Sequence, residues 1–242
     1  MPGDAGVTLS VVSHRHNAMV GHLLEDIERH CGGATVILTE NVADSVPVPT
    51  EKLSIPVVRI VNESPKGFGA NHNAAFARCH TPLFCVVNPD VRFRADPLAE
   101  LSRTLEDRRI GVVGPLVRNS GGAPEDSARA FPTLGSLFLR AFHEPRGPAY
   151  AADRGPVAVD WIAGMFMLFR REAFEAVHGF DEAYFLYYED VDICRRLHAR
   201  GFEVVFNPRA EIIHDAQRAS RGNARLAFHH LSSVIRYLTR KP

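Results

Sequence analysis

Carboxylates gather in two places along this chain, and each place has the neighbours that acid chemistry needs. The denser is Phe180-Asp181-Glu182 followed by Tyr187-Tyr188-Glu189-Asp190-Val191-Asp192, five acids within twelve positions, interleaved with aromatic residues. Aromatic walls lower the local dielectric and raise a carboxylate pKa, which suits a general base. Aromatic faces also stack on sugar rings. Acids at a helix start are favoured by its dipole at roughly 0.3–1 kcal/mol each. Such capping accounts for one or two of these acids more easily than for all five, and the residues alone leave both readings open.

The second place is Asn88-Pro89-Asp90, directly after the apolar run Leu83–Val87. In an open α/β sheet, ligands bind beyond the carboxyl ends of the strands, so polar groups converge there. A carboxylate at that point can hold a Mg- or Mn-type cation that bridges two phosphates, with waters completing the shell. A plain turn is the competing reading, because Asn-Pro and Pro-Asp both favour turns. Three further motifs are weaker. Lys66-Gly67-Phe68-Gly69-Ala70-Asn71 lacks the third spaced glycine of a dinucleotide fingerprint; it reads as a helix start open to close approach of a ligand, or as simple turn chemistry. His14-Arg15-His16 follows the first strand and is either a nucleotide contact or a polar loop. His214 is a lone histidine after the strand-like Glu211–Ile213, a type more often packed or solvated than ligating.

The elements that must position these groups alternate in the manner of βαβ units. Val7–Val12 reads as a buried strand. Residues 17–30 read as a helix, with Met19, Val20, Leu23, Leu24 and Ile27 on one face; Ala34–Leu38 is the next strand. Strands are expected at Val57–Val61, Leu83–Val87 (the most apolar, hence central), Ile110–Val113 and Glu203–Phe206. Helices are expected at Gly67–Cys79, Pro97–Asp107, Arg171–Val177 and Glu189–Arg200, the last closed by Gly201. Residues 118–156, rich in Gly, Pro, Arg and Ser with an apolar patch at 134–142, read as a mobile or acceptor-facing insertion. Regular order returns with Val157–Phe169, which holds the single tryptophan, Trp161. The expected fold class is α/β with a mostly parallel central sheet flanked by helices. One domain over 1–242 is expected, with a nucleotide-binding half to about residue 115 and an acceptor-side half from about 116.

Bulk properties exclude some classes. The chain has 242 residues, 45% hydrophobic and 23% charged, with 28 Lys plus Arg against 28 Asp plus Glu. No global field draws it to nucleic acid or anionic lipid. Cys31, Cys79, Cys85 and Cys194 form no CxxC pair and read as reduced, buried thiols. No basic segment leads into an apolar run with a cleavage site, and no apolar run approaches the ~20 residues that span a bilayer. The expectation is a soluble cytoplasmic chain with peripheral contact to the inner membrane face left open. Near the C-terminus Leu226, Leu231, Val234, Ile235 and Leu238 form an apolar helical face flanked by arginines, which suits either an anionic bilayer surface or packing on the domain with a solvated basic side.

Taken in order, several stretches resemble the inverting family-two glycosyltransferases, and within them the rhamnosyltransferase-like branch. They are Val11-Val12-Ser13-His14, Thr39-Glu40-Asn41, Gly67-Phe68-Gly69-Ala70-Asn71 with Asn73, Asn88-Pro89-Asp90, Ser127-Ala-Arg-Ala-Phe-Pro132 and Asp160-Trp161-Ile-Ala-Gly164. The longest is Gly179–Arg196, followed by Asn207-Pro208 and His214. The resemblance implies a nucleotide-binding fold of the GT-A type and transfer of a sugar, rhamnose first among guesses, from a nucleotide-diphosphate donor to a saccharide or lipid-linked acceptor. It implies Asp190 as catalytic base with Glu189 beside it, and a divalent metal (Mg or Mn) at Asp90 and His214. Donor contacts fall to Ser13, His14, Glu40, Gly69, Asn73, Asn88 and Asp90, and acceptor contacts to Trp161, Asp181 and Tyr188. Asn88 stands where many members carry an acid, and Glu40 where Asp is usual. The rivals are a nucleotidyltransferase and a non-catalytic binding module of the same fold. No partner among nucleic acids is expected.

Overall fold

The structure is a computed structural model, and it describes residues 6–133, 135, 150, 155–214 and 224–240. It opens with β1 (Val7–His14), α1 (Asn17–His30), β2 (Thr35–Val42), β3 (Val57–Val61), α2 (Phe68–Phe76), β4 (Leu83–Val87), β5 (Val91–Arg92), α3 (Pro97–Thr104) and β6 (Ile110–Arg118). Short strands β7 (Ala128–Arg129), β8 (Val157–Ala158) and β9 (Trp161–Ile162) follow, then β10 (Phe166–Arg170), α4 (Arg171–Ala176), α5 (Glu189–Ala199), β11 (Glu203–His214) and α6 (Ala224–Thr239). The apolar patch at 134–142 lies, apart from Gly135, outside the described residues.

The main sheet runs β3-β2-β1-β4-β10-β6-β11-β5, with β8 on β11, and β7 pairs β9 separately. Pairing is parallel between β3, β2, β1 and β4 and between β6 and β11. β10 enters antiparallel between β4 and β6, so the sheet is mixed but parallel over most of its paired length. All five residues of β4 are buried, as a central strand with both faces covered must be. Their alternation shows the two faces: Leu83, Cys85 and Val87 join the core that holds Leu23, Leu24 and Ile27 of α1 and Leu98 and Leu101 of α3. Phe84 and Val86 face the opposite core, with Phe174 of α4 and Ile193, Cys194 and Leu197 of α5. Burying each Leu, Ile or Phe contributes about 1.5–3 kcal/mol. All four cysteines are buried free thiols.

α6 departs from the packed arrangement allowed by its sequence. Among its described side chains Ser233 and Tyr237 are buried, with the Ser233 hydroxyl donating to the Leu186 carbonyl at 3.0 Å. Leu231 and Ile235 are more than half exposed, and Phe228 and Leu238 share their side. The solvated side therefore carries an apolar stripe, while Arg236 and Arg240 pair with Asp181. Among the described residues, no helix is long and apolar enough to cross a membrane.

Candidate active site

The carboxyl ends of β1, β2 and β4 lie along one edge of the sheet, because parallel pairing sets Val11 beside Val87 and Ser13 beside Glu40. That edge carries Ser13, His14, Glu40, Asn88 and Asp90. The buried Ser13 hydroxyl donates to the Asn17 side chain at the start of α1. His14 is exposed, with its Nδ1 3.3 Å from the Asn41 amide. Glu40 is paired with Arg59 of β3. Asn41 in turn accepts from the Lys66 and Asn62 side of the loop before α2, and Asn62 donates to Asn71, so three asparagines fix that loop.

The loop leading to α5 docks against α2. Asn73 donates to the Phe180 carbonyl and accepts from its N–H, both at 2.9 Å. What approaches Gly69 is Phe180: a Cβ on this glycine would lie 2.7 Å from the Phe180 Cβ. Gly67 meets the Phe185 backbone as closely, at 2.8 Å from its carbonyl oxygen. Both glycines thus admit a protein segment. Asp181 receives Arg236 and Arg240, and Tyr188 lies ring to ring with Tyr237 and His230 of α6. Trp161 is buried, donates from Nε1 to the Ala130 carbonyl at 3.0 Å, and lies under the Arg129 guanidinium.

Tyr187 and Tyr188 adopt φ of 73° and 67°, a left-handed conformation that costs an L-residue roughly 1–2 kcal/mol. Two such residues in succession turn the chain sharply and set Glu189-Asp190 at the first turn of α5. Glu189 is buried and its Oε2 has no hydrogen-bond partner; burial and then the neighbouring Asp190 charge push its pKa up to about 8. Asp190 accepts from the Gly164 N–H at 3.0 Å and from the Val191 N–H at 2.8 Å. Burial raises its pKa too, against the pull of those N–H groups and of Arg129. Asp192 is structural: buried, it binds Arg196 at 2.7 Å and Arg195 at 3.5 Å. Arg196 also donates to the Val177 and Gly179 carbonyls and Arg195 to that of Tyr237, so both arginines are committed to the fold.

The two acidic clusters meet through the start of β10. The Asn88 N–H donates to the Met165 carbonyl at 2.9 Å, and Met165 follows Gly164, which holds Asp190. Asp90 and Asp190 are thereby fixed at the same end of the central strands. Around Asp90, β5 pairs with the end of β11 and brings His214 opposite Val91. The His214 Nε2 lies 3.3 Å from Asp90 Oδ2, and its Nδ1 lies 3.1 Å from Glu125 Oε2. Burial disfavours the charged ring, but hydrogen bonds and charge from Asp90 and Glu125 outweigh it and raise the pKa above the ordinary imidazole value. Asp90 Oδ1 is buried without any hydrogen-bond partner. An unmet carboxylate oxygen next to an imidazole nitrogen fits one oxygen-preferring cation whose other ligands are phosphate and water. Among the described residues, no group of three or more His, Cys, Asp and Glu is placed to hold a metal by itself.

Residues 3–230 match the model of the family described as glycosyltransferase like family 2. The chain belongs to that family. This family-two glycosyltransferase is 31% identical to rhamnosyltransferase WbbL of Escherichia coli K12, over 97% of its own length and 93% of the relative's. It is 39% identical over 162 residues to the N-acetylglucosaminyl-diphospho-decaprenol L-rhamnosyltransferase of Mycobacterium tuberculosis H37Rv, 62% of this chain and 53% of that one. Among solved structures, GalNAc-T7 with UDP, GalNAc and Mn2+ aligns at TM-score 0.68 with 14% identity, covering 90% of this chain and 44% of the other. The mannosyltransferase PcManGT of Pyrobaculum calidifontis, with GDP-Man and Mn2+, aligns at 0.67 with 16% identity, covering 98% and 65%. These likenesses show the GT-A-type fold. The chain spans about half the length of the mycobacterial relative and less than two thirds of either solved chain.

Glu125 and Arg129 are site residues that sequence reasoning did not single out. Glu125 is an isolated acid in a Gly- and Pro-rich stretch, and nothing in the spacing ties it to His214. Arg129 lies inside the quoted stretch Ser127–Pro132, and its place over Trp161 and near Asp190 depends on β7 pairing with β9.

Proposed function

We propose that this glycosyltransferase moves a sugar, rhamnose by preference, from a nucleoside-diphosphate donor to a hydroxyl of a saccharide or lipid-linked acceptor in cell-surface polysaccharide synthesis. The observation that supports the reading is the Asn88–Met165 hydrogen bond next to the Gly164–Asp190 one, which brings Asp90 and Asp190 to the same end of the central strands. The relatives' names support the choice of rhamnose and of a lipid diphosphate-linked acceptor. The whole chain is taken as one catalytic domain, with the donor held by residues up to about 115 and the acceptor faced by the remainder.

In the proposed reaction Asp190 takes the proton of the acceptor hydroxyl, and its raised pKa makes it a better base than an ordinary carboxylate. The acceptor oxygen forms a bond to the anomeric carbon as the bond to the β-phosphate oxygen breaks, and that electron pair leaves with the diphosphate. A single displacement inverts the anomeric configuration. Glu189, holding its proton near neutrality, keeps a second negative charge away from the base. Asp90 and His214 are the residues that would hold a Mg or Mn ion, which would supply charge stabilisation to the departing diphosphate. Ser13, His14, Glu40 and Asn88 line the donor edge. Asn73 and Gly69 act on the site through the docked 180–188 loop, and Trp161, Asp181 and Tyr188 through the wall on the acceptor side.

The reading extends to location: in the cytoplasm, against the inner membrane face. The exposed Phe228, Leu231, Ile235 and Leu238 of α6 support it, because that helix packs on the loop entering Glu189-Asp190 and so lies near a lipid-linked acceptor. Vesicles containing phosphatidylglycerol should sediment the parent and not a Leu231→Ser, Ile235→Ser double variant; equal sedimentation removes the membrane contact.

Incubation with a panel of nucleotide sugars and a lipid-linked saccharide acceptor tests the activity. Acceptor-dependent release of nucleoside diphosphate from one donor, thymidine diphosphate-rhamnose first, is expected. Tight nucleotide binding with no turnover of any donor favours the non-catalytic module, and pyrophosphate release from a nucleoside triphosphate favours the nucleotidyltransferase.

A further inference from the structure

Beyond β6 the chain reverses at Asn119–Gly122, where Gly122 takes φ of 82° and the Asn119 N–H donates to the Ala123 carbonyl at 2.9 Å. Arg118 secures this turn, donating to the Gly122 carbonyl and pairing with Glu211 of β11. The returning strand bonds through the Glu125 N–H to the Val117 carbonyl at 2.8 Å. Val117 pairs with Ile212 of β11, two residues before His214. A local turn and one strand pairing thus deliver a carboxylate to the rear edge of the His214 ring.

We propose that Glu125 is a positioning residue: it holds the His214 proton on Nδ1 and so leaves Nε2 free to join Asp90 around a divalent cation. An ionised carboxylate only accepts hydrogen bonds, so the Nδ1 at 3.1 Å from Glu125 must be the donor there. By the same rule Nε2 donates to Asp90 at 3.3 Å, so a cation held there takes the place of the Nε2 proton while Nδ1–H stays on Glu125, and on that side Asp90 keeps a buried oxygen with no partner. Glu125 engages the far ring edge, so it orients the imidazole and is not itself a ligand. A carboxylate behind a ligating histidine fixes its tautomer and ring plane and raises its basicity. The inference rests on the metal reading of Asp90 and His214.

Calorimetric titration of Mn2+ into the protein saturated with thymidine diphosphate, corrected by a protein-free blank, tests it. Glu125→Ala should weaken Mn2+ binding about 10- to 100-fold. Glu125→Gln, whose amide oxygen still accepts from Nδ1–H, should recover most of that loss. A Glu125→Ala protein within twofold of the parent overturns the proposal, as does a Gln variant no better than Ala. A parent that binds no Mn2+ overturns the metal reading and this role with it, and the parent curve alone tells the two failures apart.

Discussion

Replacing Glu189 by Gln removes one proton-binding site and changes almost nothing in shape. The side chain is 6% exposed and its Oε2 meets no donor, so the charged form is poorly solvated there. Burial and then Asp190 lift its pKa from 4.5 to about 8. Between those values the folded chain keeps a proton that the unfolded chain has released, so the parent loses stability as pH rises through that window. One proton corresponds to about 1.4 kcal/mol per pH unit. A glutamine amide at this position cannot titrate, so from about pH 5.5 to about pH 7.5 the Glu189→Gln variant should gain roughly 2–3 kcal/mol on the parent. Urea unfolding of both proteins at the two pH values reads this directly. A stability difference that stays flat with pH, or that shrinks as pH rises, refutes the claim that Glu189 is protonated in the folded site.

Two other perturbations follow from the same geometry. His214 has a folded pKa raised above 6.5, so its ion-paired stabilisation is fully present below about that pH and fades as pH rises through the folded value; His214→Ala should therefore destabilise most in acid, and a penalty growing with pH in urea titrations would contradict it. Gly69→Ala forces a Cβ to 2.7 Å from Phe180 Cβ, which should cost about 1–3 kcal/mol as overpacking; an unchanged thermal midpoint would mean that α2 and the 180–188 loop are not docked as described.

The sequence made much of this fold legible where local pattern and tertiary demand agree. The helix at 17–30 and the strand at 83–87 have the bounds that their apolar pattern suggests, because their apolar faces are buried; the strand at 57–61 also has its expected bounds, though of its residues only Ile60 is buried. β11 was legible only in two pieces, 203–206 and 211–213. Asn207-Pro208 looks like a break, but the strand absorbs it in a register shift while the buried Asn207 amide bonds Thr104 and Glu100 of α3. The antiparallel entry of β10 between β4 and β6 was invisible, since periodicity does not encode the direction of a strand. Among site residues, Asp90, Glu189, Asp190 and His214 stood out by type and spacing. Arg195 and Arg196, one turn beyond Glu189 and Asp190, are held by Asp192 and by carbonyls. Their partners, like the His214 partner Glu125, are set by pairings between distant segments.

The central claim is that Asp190 is the base of a displacement whose donor is held across the same sheet edge. Comparing sugar transfer and nucleoside-diphosphate affinity between the parent and Asp190→Asn tests it most directly. Asn keeps the size, accepts with its one oxygen from either the Gly164 or the Val191 N–H but not both, and cannot take a proton, so transfer should fall about 10²–10⁴-fold with diphosphate affinity little changed. An Asp190→Asn protein that transfers sugar as fast as the parent contradicts the account.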